Sequence, residues 1–136
     1  MEYGITTQYN RISALGKQAY TRARKFFSGP CMKLIPMSFI QDRRFDVRFK
    51  NGEDSLFMFL ISDRFKYVDF TDKSAVYYRR YREGSAIMKK RSRCSIIINQ
   101  FRMIEQYTRM YMSSPCKYRS DFYVTRILAA IKSMFE

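Results

Sequence analysis

The longest unbroken apolar run in the chain, Leu56 to Ile61, is six residues long. Crossing a bilayer takes about 20 apolar residues in succession. The run is therefore core material, and no membrane partner is expected. Ser55 precedes it, and Asn51-Gly52-Glu53-Asp54 turns the chain into it. A short apolar run behind a turn reads as a strand covered on both faces. The rest of the chain has to pack around that strand.

The flanking segments extend the same reading. Phe45, Val47 and Phe49 alternate with Arg44, Asp46, Arg48 and Lys50, the period-two pattern of a half-buried strand. Residues 64–70 and 75–82 read as two further strands, joined by the turn Thr71-Asp72-Lys73-Ser74. Residues 93–98 are rich in β-branched side chains and read as the last strand. Residues 33–40 fit an edge strand, because Pro36 cannot donate a ladder hydrogen bond.

Helices are expected at both ends. Over residues 6–28, Ile12, Leu15, Ala19, Ala23 and Phe26 form one apolar stripe, closed by Gly29-Pro30. Asn99 is a candidate N-cap for a helix with Phe101, Ile104, Thr108 and Tyr111 on one face. Ser120-Asp121 opens a last helix whose expected buried side is Val124, Ile127, Leu128, Ile131 and Phe135. The sequence thus predicts a single α+β domain over residues 1–136. An N-terminal helix fills 1–30, an antiparallel sheet of four to six strands fills 31–98, and two helices fill 99–136.

Catalysis and metal binding find little support. The chain has no histidine, which removes His-based triads and His-ligated metals. Its three cysteines, Cys31, Cys94 and Cys116, match no zinc spacing and suit a reducing, intracellular compartment. The closest carboxylate pairs are Glu53-Asp54 and Asp69 with Asp72. Asp69, Asp72 and Lys73 read more simply as a turn than as a metal-nuclease site. Cys94 has no histidine to serve as its base. No enzyme, metal or cofactor is expected.

Charge carries the functional reading. The chain has 26 Lys+Arg, 12 Asp+Glu and a net charge of +14. Between Arg64 and Arg93 ten basic residues face three acids, so a net +7 falls within 30 residues. Phe65, Tyr67, Phe70, Tyr77, Tyr78 and Tyr81 interleave with them. Cations attract a polyanion by counterion release, and aromatic rings stack on the open bases that single strands offer. On a strand, Tyr77, Arg79 and Tyr81 share one face; Tyr78, Arg80 and Arg82 share the other, which is expected to look outward. The expected nucleic-acid-binding set is Lys66, Lys73, Tyr78, Arg79, Arg80, Arg82, Lys89, Lys90, Arg91 and Arg93. Single-stranded DNA is the favoured partner, with RNA as an alternative. Lys89-Lys90-Arg91-Ser92-Arg93 also fits a nuclear-localisation cluster, and the nucleus or a site of viral or phage replication is an expected location.

The middle of the chain resembles a known family. Lys66-Tyr67-Val68, the Asp72 turn, the strand ending in Arg82-Glu83, the basic Lys89-Lys90-Arg91 and then Ser95-Ile96-Ile97-Ile98-Asn99-Gln100-Phe101 resemble the positive-cofactor-four family of transcriptional coactivators. The resemblance covers about residues 56–112 and departs at Gly84-Ser85 and Arg93. It implies a curved four-stranded sheet backed by a helix and binding of single-stranded DNA. It also implies a homodimer formed through the helices, which places Phe101, Ile104 and Tyr111 at the interface. A structural, virion or ribonucleoprotein assembly component with a basic surface is the alternative function.

Overall fold

The structure is a computed structural model that describes residues 4–16, 18–19, 22–78, 80 and 91–136. The expected α+β architecture is overturned: the described residues are mainly helical. Helix α1 spans Gly4–Ser13, α2 Met37–Ile40, α3 Glu53–Leu60, α4 Arg93–Ser113 and α5 Ser120–Phe135. Short 3₁₀ turns lie at Arg24–Ser28 and Ser62–Arg64. In place of a sheet of four to six strands, β1 (Gln18–Ala19) pairs antiparallel with β2 (Tyr67–Val68), with Gln18 opposite Val68 and Ala19 opposite Tyr67.

The central apolar run is buried as expected, but as the helix α3. Leu56, Phe57, Met58, Phe59 and Ile61 are all buried. A helix apolar on nearly every side belongs in a core, and a six-residue run has no period that separates it from a strand. What decides is its start. Gly52 sits in the left-handed region at φ +85° and its carbonyl accepts the Leu56 N–H at 3.0 Å. Glu53 and Asp54 then occupy the first turn, where a carboxylate suits the helix dipole, although burial and the neighbouring Glu53 leave the Asp54 charge disfavoured on balance. The Asn-Gly pair that reads as a hairpin turn is used to open a helix. The positive φ favours glycine there, and a Cβ would also displace the flexible end of the Met103 side chain.

The other expected strands fail for similar local reasons. Asp46 accepts hydrogen bonds from the Arg48 N–H (3.1 Å) and Nε (2.9 Å), and the Phe49 N–H returns to the Asp46 carbonyl at 3.1 Å. That side-chain capture makes a turn of residues 46–49, where alternation predicts a strand. Phe49 is buried, Phe45 stacks on Phe57 at 4.1 Å, and Val47 is exposed. Pro36 precedes α2, so residues 37–40 coil where an edge strand is expected. Residues 93–98 form the start of α4, because the Ser92 Oγ accepts the Ser95 N–H at 3.2 Å and caps it. Packing against α5 then outweighs the strand preference of Ile96, Ile97 and Ile98. The 6–28 helix stops at Ser13, with Gly16 at φ +68° just beyond. Residues 69–78 form no strand, and residues 79 and 81–82 of that expected strand lie outside the described residues.

The two C-terminal helices are present and form a hairpin. Helix α3 packs between this hairpin and the Arg24–Ser28 turn. The core joins Phe27, Phe49, Leu56–Phe59, Ile61, Phe65, Met103, Tyr107, Tyr118 and Phe122. The buried sides of the last helices differ from those expected. Met103 and Tyr107 are the buried residues of α4, and Phe122 and Ala130 those of α5. Val124, Leu128, Ile131 and Phe135 are exposed, and Ile127 is half-buried.

Candidate nucleic-acid interface

The expected binding residues divide between two exposed stretches. Lys66 stands beside β2, and Lys73 lies in the turn that the Asp72 carbonyl closes by accepting the Ala75 N–H at 3.2 Å. Ser74 also donates its N–H to the Asp72 carboxylate at 2.6 Å, and this bonding holds Asp72 below the ordinary carboxylate range. Residues 71–78 and Arg80 are all exposed, without regular secondary structure. Tyr78 is 88% exposed, Tyr67 59% and Tyr77 51%. Arg91 and Arg93 flank the Ser92 cap of α4 and are exposed. Arg79, Arg82, Lys89 and Lys90 lie outside the described residues.

These cations have no acid partners among the described residues. The acids in ion pairs are Asp42, Asp46, Asp63, Glu105, Asp121 and Glu136, which pair with Arg64, Arg48, Arg43, Arg109, Arg119 and Lys132. Lys66, Lys73, Arg80, Arg91 and Arg93 appear in none of these pairs. The 70–73 segment is nonetheless anchored. The Tyr9 hydroxyl donates to the Thr71 carbonyl at 2.6 Å, and Phe70 packs edge-on to Tyr9 and Phe26. Between α1 and this segment runs an open groove of about 540 Å³, lined by Tyr9, Asn10 and Ser13 on one side and by Phe70, Asp72 and Lys73 on the other.

The residues named for a helix-mediated dimer are also placed. Phe101 is exposed on α4, and Ile104 is half-buried. Tyr111 stacks on Tyr123 of the same chain, ring centroids 4.4 Å apart, and is used in closing the α4–α5 hairpin.

A second cluster, at the start of α3, is one the sequence showed only as adjacent carboxylates. Burial pushes the Asp54 carboxyl above the usual carboxylate range, and Glu53 pushes it further, against an opposing pull from Lys33. Glu53 Oε2 is buried with no hydrogen-bond partner. Lys33 Nζ donates to the carbonyls of Gly29 (2.7 Å) and Cys31 (2.9 Å), and burial lowers its pKa. One residue along, Ser55 Oγ lies 2.8 Å from the Tyr107 hydroxyl and accepts from Arg126 at 3.1 Å. Arg126 also donates to the Arg24 carbonyl at 2.9 Å and lies over the Phe122 ring, yet its Nε is buried without a partner. These partners stand 52, 71 and 102 residues apart, so no local pattern announces them. Among the described residues no group of three or more Cys, Asp or Glu is placed to hold a metal.

No family model matches this chain, and no curated protein or solved structure matches it either.

Proposed function

We propose that the protein is a non-enzymatic nucleic-acid-binding protein that prefers single strands and acts through residues 66–80 together with Arg91 and Arg93. The supporting observation is the exposure of Tyr67, Tyr77 and Tyr78 on a segment whose cations Lys66, Lys73 and Arg80 have no acid partner among the described residues. Phosphates neutralise such cations with release of counterions. Open bases stack on exposed tyrosines at about 1–3 kcal/mol each. Duplex hides the base faces and gains only the first term. Among the described residues the curved sheet implied by the family resemblance is not formed, so this reading rests on an irregular exposed segment and not on a sheet platform.

Charge reversal tests it. The combined substitutions Lys66→Glu, Lys73→Glu and Arg80→Glu are expected to weaken binding of a fluorescent single-stranded oligonucleotide at least ~10-fold at low salt, with an unchanged circular-dichroism spectrum. Tyr78→Ala is expected to cost about 1–3 kcal/mol of binding without altering the salt dependence. Unchanged affinity in the triple variant overturns the reading.

A second reading rests on the α3 cluster. A carboxyl with a raised pKa beside a second carboxylate and a half-buried lysine has the character of a general base. Because the folded-state pKa of Asp54 lies above its unfolded value, the native state holds the proton more tightly. Its unfavourable contribution is absent below the ordinary carboxylate range and grows as pH rises from there through the raised value. Asp54→Asn is therefore expected to raise the melting temperature at neutral pH and to leave it unchanged near pH 3. Carbon NMR titration checks the cause: an Asp54 carboxyl titrating in the ordinary range ends this second reading.

A further inference from the structure

We infer that the groove between α1 and residues 70–73 seats one ribonucleotide of a bound strand, so that the protein selects RNA over DNA through the sugar hydroxyl. The inference rests on the nucleic-acid reading above and goes further by naming the sugar. It departs from the deoxy strand that the family resemblance implies.

The groove has the size and the walls of a nucleotide site. Its volume of about 540 Å³ lies within the roughly 300–1,000 Å³ of small-ligand pockets. It is open, so a strand can enter and leave it. Tyr9 and Phe70 are half-buried in its lining. The Tyr9 hydroxyl is already engaged by the Thr71 carbonyl at 2.6 Å, and the Phe70 ring is held edge-on to Tyr9 and Phe26. What the two offer a ligand is ring surface, which suits a base. Asn10 and Ser13 are neighbours on one face of α1. Neither side chain has a hydrogen-bond partner among the described residues. An amide that both donates and accepts matches the edge of an unpaired base, an edge that pairing occupies in a duplex.

Asp72 decides the sugar. It lies in the basic segment between Lys66 and Arg80, next to Lys73, yet it pairs with no cation among the described residues. Hydrogen bonding from Ser74, including its N–H at 2.6 Å, keeps the carboxyl ionised. A carboxylate has about four acceptor sites, so Ser74 leaves some of them open. An ionised carboxylate accepts, never donates, and repels phosphate. A polyanionic strand in the groove must therefore turn a donor toward it. Ribose carries such a donor, its 2′-hydroxyl, at every position of the strand. Deoxyribose has only C–H there, and it leaves the carboxylate partly desolvated without a partner. Lys73, one residue along, is exposed and suits the adjoining phosphate. Tyr77 and Tyr78 continue the path beyond the groove with exposed rings. Base amino groups are also donors, but they differ from base to base, so the sugar is the group to vary at fixed base sequence.

The test is titration of the full chain with fluorescent single strands of about 12 nucleotides and one base sequence, made as RNA, as DNA and as 2′-fluoro RNA, at about 50 mM salt. RNA is expected to bind about 5–10-fold tighter than DNA. The 2′-fluoro strand keeps the ribose pucker but has no donor, and is expected to bind like DNA. Asp72→Asn keeps an acceptor for the Ser74 N–H and removes the charge; it is expected to bring the RNA-to-DNA ratio close to one. Asn10→Ala, on the opposite wall and independent of the Asp72 turn, is expected to weaken RNA binding at least ~3-fold with unchanged helical circular dichroism. Equal affinity for RNA and DNA overturns the inference and leaves the single-strand reading standing. So does a 2′-fluoro strand that binds like RNA, a preference that survives Asp72→Asn, or full affinity in Asn10→Ala. Displacement of the RNA by adenosine monophosphate at about 100 μM assigns the groove to a free nucleotide and also overturns it. Absence of binding to every strand removes the single-strand reading, and this inference with it.

Discussion

Phe59→Ala is expected to remove about 3–5 kcal/mol of stability. The Phe59 ring is fully buried at the centre of the aromatic core. It stacks on Tyr118 at 5.0 Å and on Phe122 at 5.6 Å, and meets Tyr107 edge-on at 5.3 Å. Those partners come from α4, from α5 and from the connection between them. Deleting the ring loosens α3 from the hairpin as a unit, and the facing rings are too large to collapse into the gap. A domain of ordinary stability has about 5–15 kcal/mol in total, so the loss is a large share. Urea denaturation followed by tyrosine fluorescence measures it. A loss under about 1 kcal/mol would mean that α3 is not the core of the fold. Val47→Ala, on an exposed side chain, is the matched control and is expected to change little.

Asp63→Ala is expected to cost a similar amount, about 3–5 kcal/mol, by a different cause. The Arg43 guanidinium forks onto Asp63, with Nη2 to Oδ2 at 2.7 Å and Nη1 to Oδ1, and Nη1 also donates to the Leu60 carbonyl. Both side chains are mostly removed from solvent. Hydrogen bonding to Asp63 holds the guanidinium pKa above its ordinary value. Without the carboxylate, the cation stays half-buried with one carbonyl, which it shares with the Tyr118 hydroxyl. Most of the cost lies in that stranded charge. The double variant Arg43→Met, Asp63→Leu is therefore expected to recover most of the stability. A double variant as unstable as Asp63→Ala would show that the pair positions the backbone instead.

Burial of the central run was legible in the sequence, whereas its conformation was not; at the C-terminal helices the reverse holds, with the helices legible and their buried sides not. The Leu56–Ile61 run marked the core centre because six apolar residues in a strongly charged chain have nowhere else to go. Whether they coil or extend depends on Gly52, which reads equally as a hairpin turn or as the left-handed residue that opens a helix. At 45–49 the alternation was present, but the Asp46–Arg48 contacts turn the backbone first. At 93–98 the β-branched run pointed to a strand, yet the Ser92 cap and the α5 contact decide for helix. The stripe Val124, Leu128, Ile131, Phe135 was visible as apolar; that it faces outward follows from Phe122 and Tyr123 taking the two inner sides. For the candidate interface, the concentration of charge was plain from composition. The exposure of Tyr78, and the absence of acids paired to Lys73 and Arg80 among the described residues, are tertiary facts. The α3 cluster had only the adjacency of Glu53 and Asp54 to announce it, since Lys33, Tyr107 and Arg126 reach it from distant parts of the chain.

The central claim is that exposed cations and tyrosines take up single-stranded nucleic acid. Its most direct test is titration of a fluorescent single strand, and of the matching duplex, at about 50 mM and about 200 mM salt. If Lys66, Lys73, Arg80, Arg91 and Arg93 each meet a phosphate, single-strand affinity should fall about 100-fold over that range. The duplex should bind more weakly at both salts. Absence of binding to either form at the lower salt contradicts the claim, and tighter binding of the duplex contradicts its single-strand preference.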